Sequence, residues 1–348
     1  MKKTFFAVVV LMFSAFVASA ADRMPNGENI FLLGYPEYGS TAYSVSGGAI
    51  YDAAPFSISL NPALTAALQR PALDLGYNIF VDTNDDDLDL DPSHAIHLGG
   101  LYPTNIGVWT LAFQTVLGKQ SENNYSVLSG LGDMFYGRIA WSRDVTDFLY
   151  VGASVYAGTI DVSDLDGDED YAIAGDVGFV FRVQELAFLK DFRFSGVLAN
   201  IGKTFDPSDG ALNYYPQFLT VRAGIAAVLV DVEDKFKLGL SADATLPAFI
   251  NLTFSAGLQA EILNMLTISG GWDMNVWELA EIEKPVHGPF VSIAYKHKFN
   301  TGSTTSDFKF AGGWQQLDNS IQSISVGLAA KIGREDDEAP EIEMGVSE

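Results

Sequence analysis

The chain has 348 residues, enough for one large domain or two to three average ones. It carries 44 acidic against 20 basic side chains, a formal charge of −24, which excludes a nucleic-acid partner because phosphate binding needs a basic face. It has no cysteine, so disulfides, thiolate metal sites, a cysteine nucleophile and a lipoprotein anchor are excluded together, and only 18% of its residues are charged, which separates it from disordered chains and coiled coils.

The first 20 residues read as a signal peptide. Lys2 and Lys3 supply a positive start, Phe5 to Val17 an apolar run, and Ala18-Ser19-Ala20 a small-x-small cleavage site with Ala21 as the new N-terminus. The run is shorter than the ~20 apolar residues of a spanning helix. No later apolar run reaches ~18 residues without a charge or a turn residue. Yet the mean hydropathy is +0.15, high for a protein dissolved in water.

Residues 21–70 form a separate unit in this reading. The segment is rich in Gly and Pro and does not alternate cleanly. One short helix is predicted to start at Asn61, with Asn as the N-cap and Pro62 at the first helical position, and to run through Ala63-Leu64-Thr65-Ala66-Ala67-Leu68 until Pro71. The segment is either an ordinary extension or a plug folded into whatever follows it.

From Pro71 a two-residue period takes over. Ile250, Leu252, Phe254, Ala256, Leu258 and Ala260 share one face, and Asn251, Thr253, Ser255, Gly257, Gln259 and Glu261 the other. Strands are predicted at Pro71–Thr83, Ser93–Tyr102, Asn105–Leu117, Gly132–Arg143, Phe148–Ile160, Tyr171–Val183 and Asp191–Ile201. Seven more follow at Gln217–Val230, Lys235–Leu246, Phe249–Glu261, Asn264–Asn275, Pro289–Phe299, Asp307–Leu317 and Ile321–Ile332. Each is long enough to cross a bilayer at a tilt of ~45° and longer than the ~5–6 residues usual in soluble sandwiches.

Three features favour an all-β, transmembrane antiparallel barrel of about 14 strands over residues 71–332. The polar face is small and carries few charges, among them Lys237, Asp243, Lys296 and Lys298. Aromatic residues (Tyr77, Tyr102, Trp141, Phe148, Tyr150, Phe181, Phe236, Trp272, Phe299 and Trp314) sit near segment ends, as in the girdles of a membrane barrel. Connections alternate between long and short, as expected when the long ones face outside and the short ones face the periplasm. Closure also removes every unpaired strand edge from lipid.

Nineteen of the 44 acids are concentrated in three stretches. Asp82–Asp91 and Asp161–Asp170 hold six acids each and residues 333–348 seven, which leaves 25 acids against 19 bases elsewhere. The two runs read as solvated acidic loops, because Glu169 and Gly175 stand where a calcium loop needs Gly and a bidentate Glu. Residues 333–348 read as a disordered acidic tail. His94 and His97, three apart on a strand, point to opposite faces and hold no shared metal. Gly196 to Thr204 has five residues before Gly202-Lys203-Thr204 where a phosphate loop needs four, and Asp206-Pro207 follows in place of a helix. The sequence therefore yields no catalytic residues, no cofactor and no metal site, and the expectation is a non-enzyme.

Gly47-Gly48-Ala49, Asp52-Ala53 and Asn61-Pro62-Ala63, placed before the first strand, resemble the N-terminal region of FadL-type outer-membrane proteins. So do Val197-Leu198-Ala199-Asn200-Ile201-Gly202, Tyr215-Pro216-Gln217 with Arg222-Ala223-Gly224, and Ser269-Gly270-Gly271-Trp272. The nearest branch by these motifs is the spirochaete one catalogued as UPF0164, related to PorV and PorQ. Leu64 stands where the family often has Gly, and an acidic tail follows Ile332 in place of a terminal aromatic strand residue.

The resemblance implies a fourteen-stranded barrel in the cell outer membrane with an N-terminal hatch over residues 21–70. Asn61, Pro62, Ala63, Gly47 and Gly48 would be hatch residues. It implies passive uptake of hydrophobic small molecules, long-chain fatty acids foremost, with lateral release through a defect in the wall. An aqueous pore would not help such a ligand, since each CH₂ costs ~0.8 kcal/mol in water. The alternative is a scaffold or secretion-complex subunit with protein partners at the outer membrane and no transport; a surface adhesin using the acidic loops fits with either.

Overall fold

The computed structural model describes residues 44–82, 93–117, 133–161, 169–203, 219–233, 235–247, 252–276, 288–301, 304–316 and 321–333. The predicted signal peptide, most of both acidic runs and the tail beyond Gly333 lie outside the described residues.

Fourteen antiparallel strands close on themselves. In chain order they are β1 (Ala72–Asp82), β2 (Ser93–Thr104), β3 (Gly107–Leu117), β4 (Asp133–Thr146), β5 (Leu149–Asp161), β6 (Asp170–Leu186) and β7 (Leu189–Lys203). Then come β8 (Thr220–Val232), β9 (Phe236–Pro247), β10 (Thr253–Ile262), β11 (Leu266–Asn275), β12 (Pro289–Thr301), β13 (Thr304–Gln316) and β14 (Ile321–Lys331). Every strand pairs with its sequence neighbours, and β1 closes the ring on β14 in one continuous register from Ala72 opposite Lys331 to Asp82 opposite Ile321. Connections after even-numbered strands take two or three residues and those after odd-numbered strands four to sixteen, so the predicted asymmetry is present and sharper than expected.

The two-residue period decides which side chain faces which medium. Leu75, Leu98 and Phe113 stand side by side on adjacent strands and all point outward. Leu98, mid-strand, is 52% exposed. Val155, Ile293, Phe310 and Val326 are exposed in the same way around the ring, while Asn78, Gln114, Ser154, Ser241 and Ser269 on the other face are buried. A soluble protein keeps contiguous apolar surface to a few hundred Å². A belt running round the whole barrel is stable only in hydrocarbon, so the wall is that of a transmembrane barrel.

Two expectations need correction. Tyr150 belongs to no girdle: it lies on the inner face of β5, where its hydroxyl accepts from Arg182 Nη1 at 3.4 Å and, like Tyr51, it packs against the cluster of Phe56, Leu60, Leu64 and Val180. The strand ends also differ by up to four residues; β13 begins at Thr304, not Asp307, and pairs with β12 as far as Thr301 opposite Thr304. Among the described residues, four register shifts interrupt the ladders, at Asp144/Thr146, Gly175/Val177, Lys190/Arg193 and Val228/Val230. None carries a proline. At the Gly175/Val177 shift the facing strand turns through Asn200 at φ 61°, and the Asn200 N–H donates to Asp176 Oδ1 at 2.9 Å, so a side chain replaces the lost ladder acceptor.

Residues 44–70 lie inside the ring. They form two short 3₁₀ helices, Pro55–Ser59 and Pro62–Ala67, and almost all are buried. The second is the helix expected after Asn61, in its tighter form; the first was not legible, since Ala54 is a poor cap and the stretch has no helical period.

Candidate functional site

The candidate site is the lumen, with residues 44–70 seated in it. Asn61 is fully buried and caps its helix by accepting from the Ala63 N–H at 2.9 Å. Its amide nitrogen donates to the Val45 carbonyl at 3.0 Å and to the Phe179 carbonyl of β6 at 3.1 Å. Asn is suited to this place because one side chain offers both an acceptor and two donors. Pro62 and Ala63 sit against Gly152 of β5, and Asn61 against Gly178 of β6. A Cβ at Gly152 would collide with the Pro62 carbonyl carbon and the Ala63 nitrogen, and one at Gly178 with Asn61 Oδ1. Thr65 completes the seat, its hydroxyl 2.9 Å from that of Ser142 on β4.

Gly47 and Gly48 lie next to this seat, against the adjacent strand β7. Both hold positive φ, 90° and 85°, a region in which glycine pays no steric penalty. The turn presents three carbonyls to one guanidinium. Arg193 of β7, with no exposed surface, donates to Ser46 at 2.9 Å, Gly48 at 3.0 Å and Ala49 at 3.3 Å, and its guanidinium lies 4.7 Å from the centre of the Tyr51 ring. Burial raises the Tyr51 hydroxyl above its ordinary range, so it remains a donor, to the Leu64 carbonyl at 2.6 Å. Asp243 of β9 accepts from the Val45 N–H at 2.6 Å and the Ser44 hydroxyl at 3.1 Å, and Gln259 of β10 accepts from the Ile50 N–H at 2.7 Å. Arg222 of β8 donates to the Leu60 carbonyl at 3.1 Å.

Charged pairs hold the segment at the short-turn end. Asp52 bridges Lys309 of β13 at 2.7 Å and Lys331 of β14 at 2.5 Å. Burial opposes its ionisation, but Lys309, Lys331 and Lys296 together outweigh it and hold the carboxyl well below the usual carboxylate range. Arg70 pairs with Asp307 of β13. Asp74 of β1 accepts from the Phe56 N–H at 2.7 Å with one oxygen and bonds His97 Nε2 at 2.8 Å with the other. His94 faces outward against Tyr77, as the three-residue spacing requires, so the two histidines share nothing.

Apolar contacts fill the gaps between these anchors. Phe56, Leu60, Ala63 and Leu64 form one cluster with Val180 of β6. Ile58 packs on Ala112 and Ala140, and Val45 on Val197 and Ala199. Leu64, at the position where glycine was expected, thus has a packing role. Towards the long-loop side, Arg138 of β4 pairs with Asp176, which also bonds Ser154. The structure thus brings together the five residues singled out from the sequence, with Asn61, Pro62 and Ala63 against β5 and β6, and Gly47 and Gly48 against β7. It adds Asp52, Arg193, Arg222 and Asp243, which sequence reasoning did not place at a site. For Arg193, Arg222 and Asp243 a signal was present, since a charge on the inner-face parity of a strand must find a partner inside; Asp52, off the strands, had none.

No protein-family model matches the chain, and no curated protein does. Among solved structures it is similar to the toluene transporter TbuX of Ralstonia pickettii, at 14% identity and a TM-score of 0.50 over 88% of this chain and 100% of that one. It is also similar to a FadL homologue of Pseudomonas aeruginosa, at 12% identity and a TM-score of 0.50 over 86% of this chain and 97% of that one. At these identities the likeness is one of fold: the chain has the fold of FadL-type barrels.

Proposed function

We propose that the protein is an outer-membrane channel for passive uptake of hydrophobic molecules, with residues 21–70 as its hatch and residues 1–20 removed near Ala20/Ala21. Asn61, Pro62, Ala63, Gly47 and Gly48 act as hatch residues. The observation that carries this reading is the combination of an apolar exterior with an inner segment bonded to β1, β4, β6, β7, β8, β9, β10, β13 and β14. A segment tied to so many strands closes an aqueous path, and a closed path suits cargo that partitions rather than flows. The solved transporters of the same fold add to this reading.

Long-chain fatty acids are the cargo class we favour, and the sequence motifs favour the spirochaete branch of the family. In this mechanism the ligand leaves water for apolar surface inside the barrel, gaining ~0.8 kcal/mol per CH₂ buried, and displaces the hatch in passing. The test is binding of a fluorescent fatty acid to the purified, detergent-solubilised protein. Saturable binding with little steady ion conductance in planar bilayers supports the proposal. Absence of binding with large steady conductance contradicts it in favour of a polar pore, and absence of binding with a stoichiometric protein partner in pull-downs favours a scaffold role.

A further inference from the structure

Asp52 is held as a ligand would be. Each of its carboxylate oxygens meets a different ammonium, Lys309 on Oδ2 and Lys331 on Oδ1. The two lysines project from adjacent strands, and their side chains are each 11% exposed. Lys296 of β12 stands directly across the ladder from Lys309, 3.6 Å from Asp307, which also takes Arg70. Asp52 and Asp307 thus each bridge two of these cations. The cations other than Arg70 belong to the barrel wall, whereas Asp52 belongs to the inner segment and is the most accessible member of the pair network, at 28%.

Removing one anion from a cluster of buried ammonium groups is unfavourable. Asp52 therefore leaves them readily only when another anion replaces it. We infer that Lys309 and Lys331, with Lys296, form a carboxylate-binding site at the short-turn end of the lumen, which Asp52 fills in the resting barrel. This rests on the transport reading and narrows its substrate class to amphiphiles with an anionic end, in preference to neutral hydrocarbons. The cargo carboxylate exchanges with that of Asp52, and the exchange frees the segment from β13 and β14.

The experiment compares a fluorescent polyene fatty acid with its methyl ester, by equilibrium binding to the full purified chain in non-ionic detergent. Asp52→Asn removes the internal competitor and should tighten the acid several-fold while leaving the ester unchanged. Lys309→Gln with Lys331→Gln should weaken the acid by about tenfold or more, the size expected for lost charge-assisted hydrogen bonds, again without effect on the ester. Lys309→Arg with Lys331→Arg, which keeps the charge and the fold, should retain acid binding. Acid and ester binding equally well, with Asp52→Asn moving neither, would overturn this inference alone. A wild-type protein that binds neither probe would overturn the transport reading with it.

Discussion

Asn61 donates its side-chain amide to the carbonyl of Phe179, 3.1 Å away and 118 positions along the chain. Phe179 points outward, so the bond reaches the backbone of the wall itself. The same amide holds the Val45 carbonyl, and the oxygen caps the following helix. One side chain thus ties the two halves of the inner segment to each other and to β6.

Asn61→Ala should loosen this segment and leave the barrel intact. The lost cap and two carbonyls left without their donor together cost about 2 kcal/mol or more. Limited proteolysis in reconstituted vesicles reads the effect: cleavage within residues 44–70 should accelerate at least tenfold while the strands remain protected. Equal cleavage rates would show that Asn61 anchors nothing.

Gly152 tests shape where Asn61 tests hydrogen bonding. Gly152→Val puts side-chain atoms where the backbone of Pro62 and Ala63 now lies, and should expel the second 3₁₀ helix from its seat. Gly270 of β11 faces outward, and a Cβ there meets only the Phe290 oxygen at an ordinary 3.4 Å. Gly270→Ala should therefore be silent in the proteolysis assay in which Gly152→Val is not.

Much of the barrel was legible because a wall between lipid and an inner space needs strict alternation, and alternation is local. Leu98 outward and Gln114 inward follow from parity alone. The inner segment was less legible. Asn61-Pro62 announces a helix start, but nothing local says that Asn61 will meet Phe179 or that Asp52 will meet Lys309 and Lys331, because those contacts depend on which strands closure brings round the segment. Tyr150 was misplaced for the same reason: aromatic residues at strand ends serve a girdle or an inner cluster according to parity, and a one-residue uncertainty at a strand start reverses it. The register shifts had no proline to mark them.

The Arg138–Asp176 pair should govern stability more than closure. Asp176→Asn leaves the Arg138 guanidinium buried beside a neutral group and weakens the acceptor that the Asn200 N–H uses at the bulge. A loss of about 3 kcal/mol is expected from breaking one side of a buried pair. Thermal unfolding in detergent should show a clear drop in midpoint, whereas Ser154→Ala, which removes the neutral hydroxyl that accepts from Arg138 at 3.1 Å and donates to Asp176 at 3.3 Å but keeps the ion pair, should lower it less.

The Asp52 bridge sets a pH dependence of definite sign. Its carboxyl is held well below the ordinary range, so its contribution to anchoring is fully present above the unfolded-state value of about 4 and is lost as pH falls below it towards the depressed folded value. Proteolytic or labelling access to residues near Asp52 should be flat between neutral pH and about pH 5 and rise only in stronger acid. A rise that already begins between neutral pH and about pH 5 would show that the Asp52 bridge does not anchor the segment.

The proposed uptake requires the inner segment to move, and one measurement tests this most directly. The chain has no cysteine, and the hydroxyls of Thr65 and Ser142 are 2.9 Å apart, so Thr65→Cys with Ser142→Cys places a disulfide between the segment and β4 without competing thiols. Uptake of a fluorescent fatty acid into vesicles carrying this variant should stop under oxidising conditions and return on reduction. Uptake that proceeds at the same rate with the disulfide closed would contradict the account.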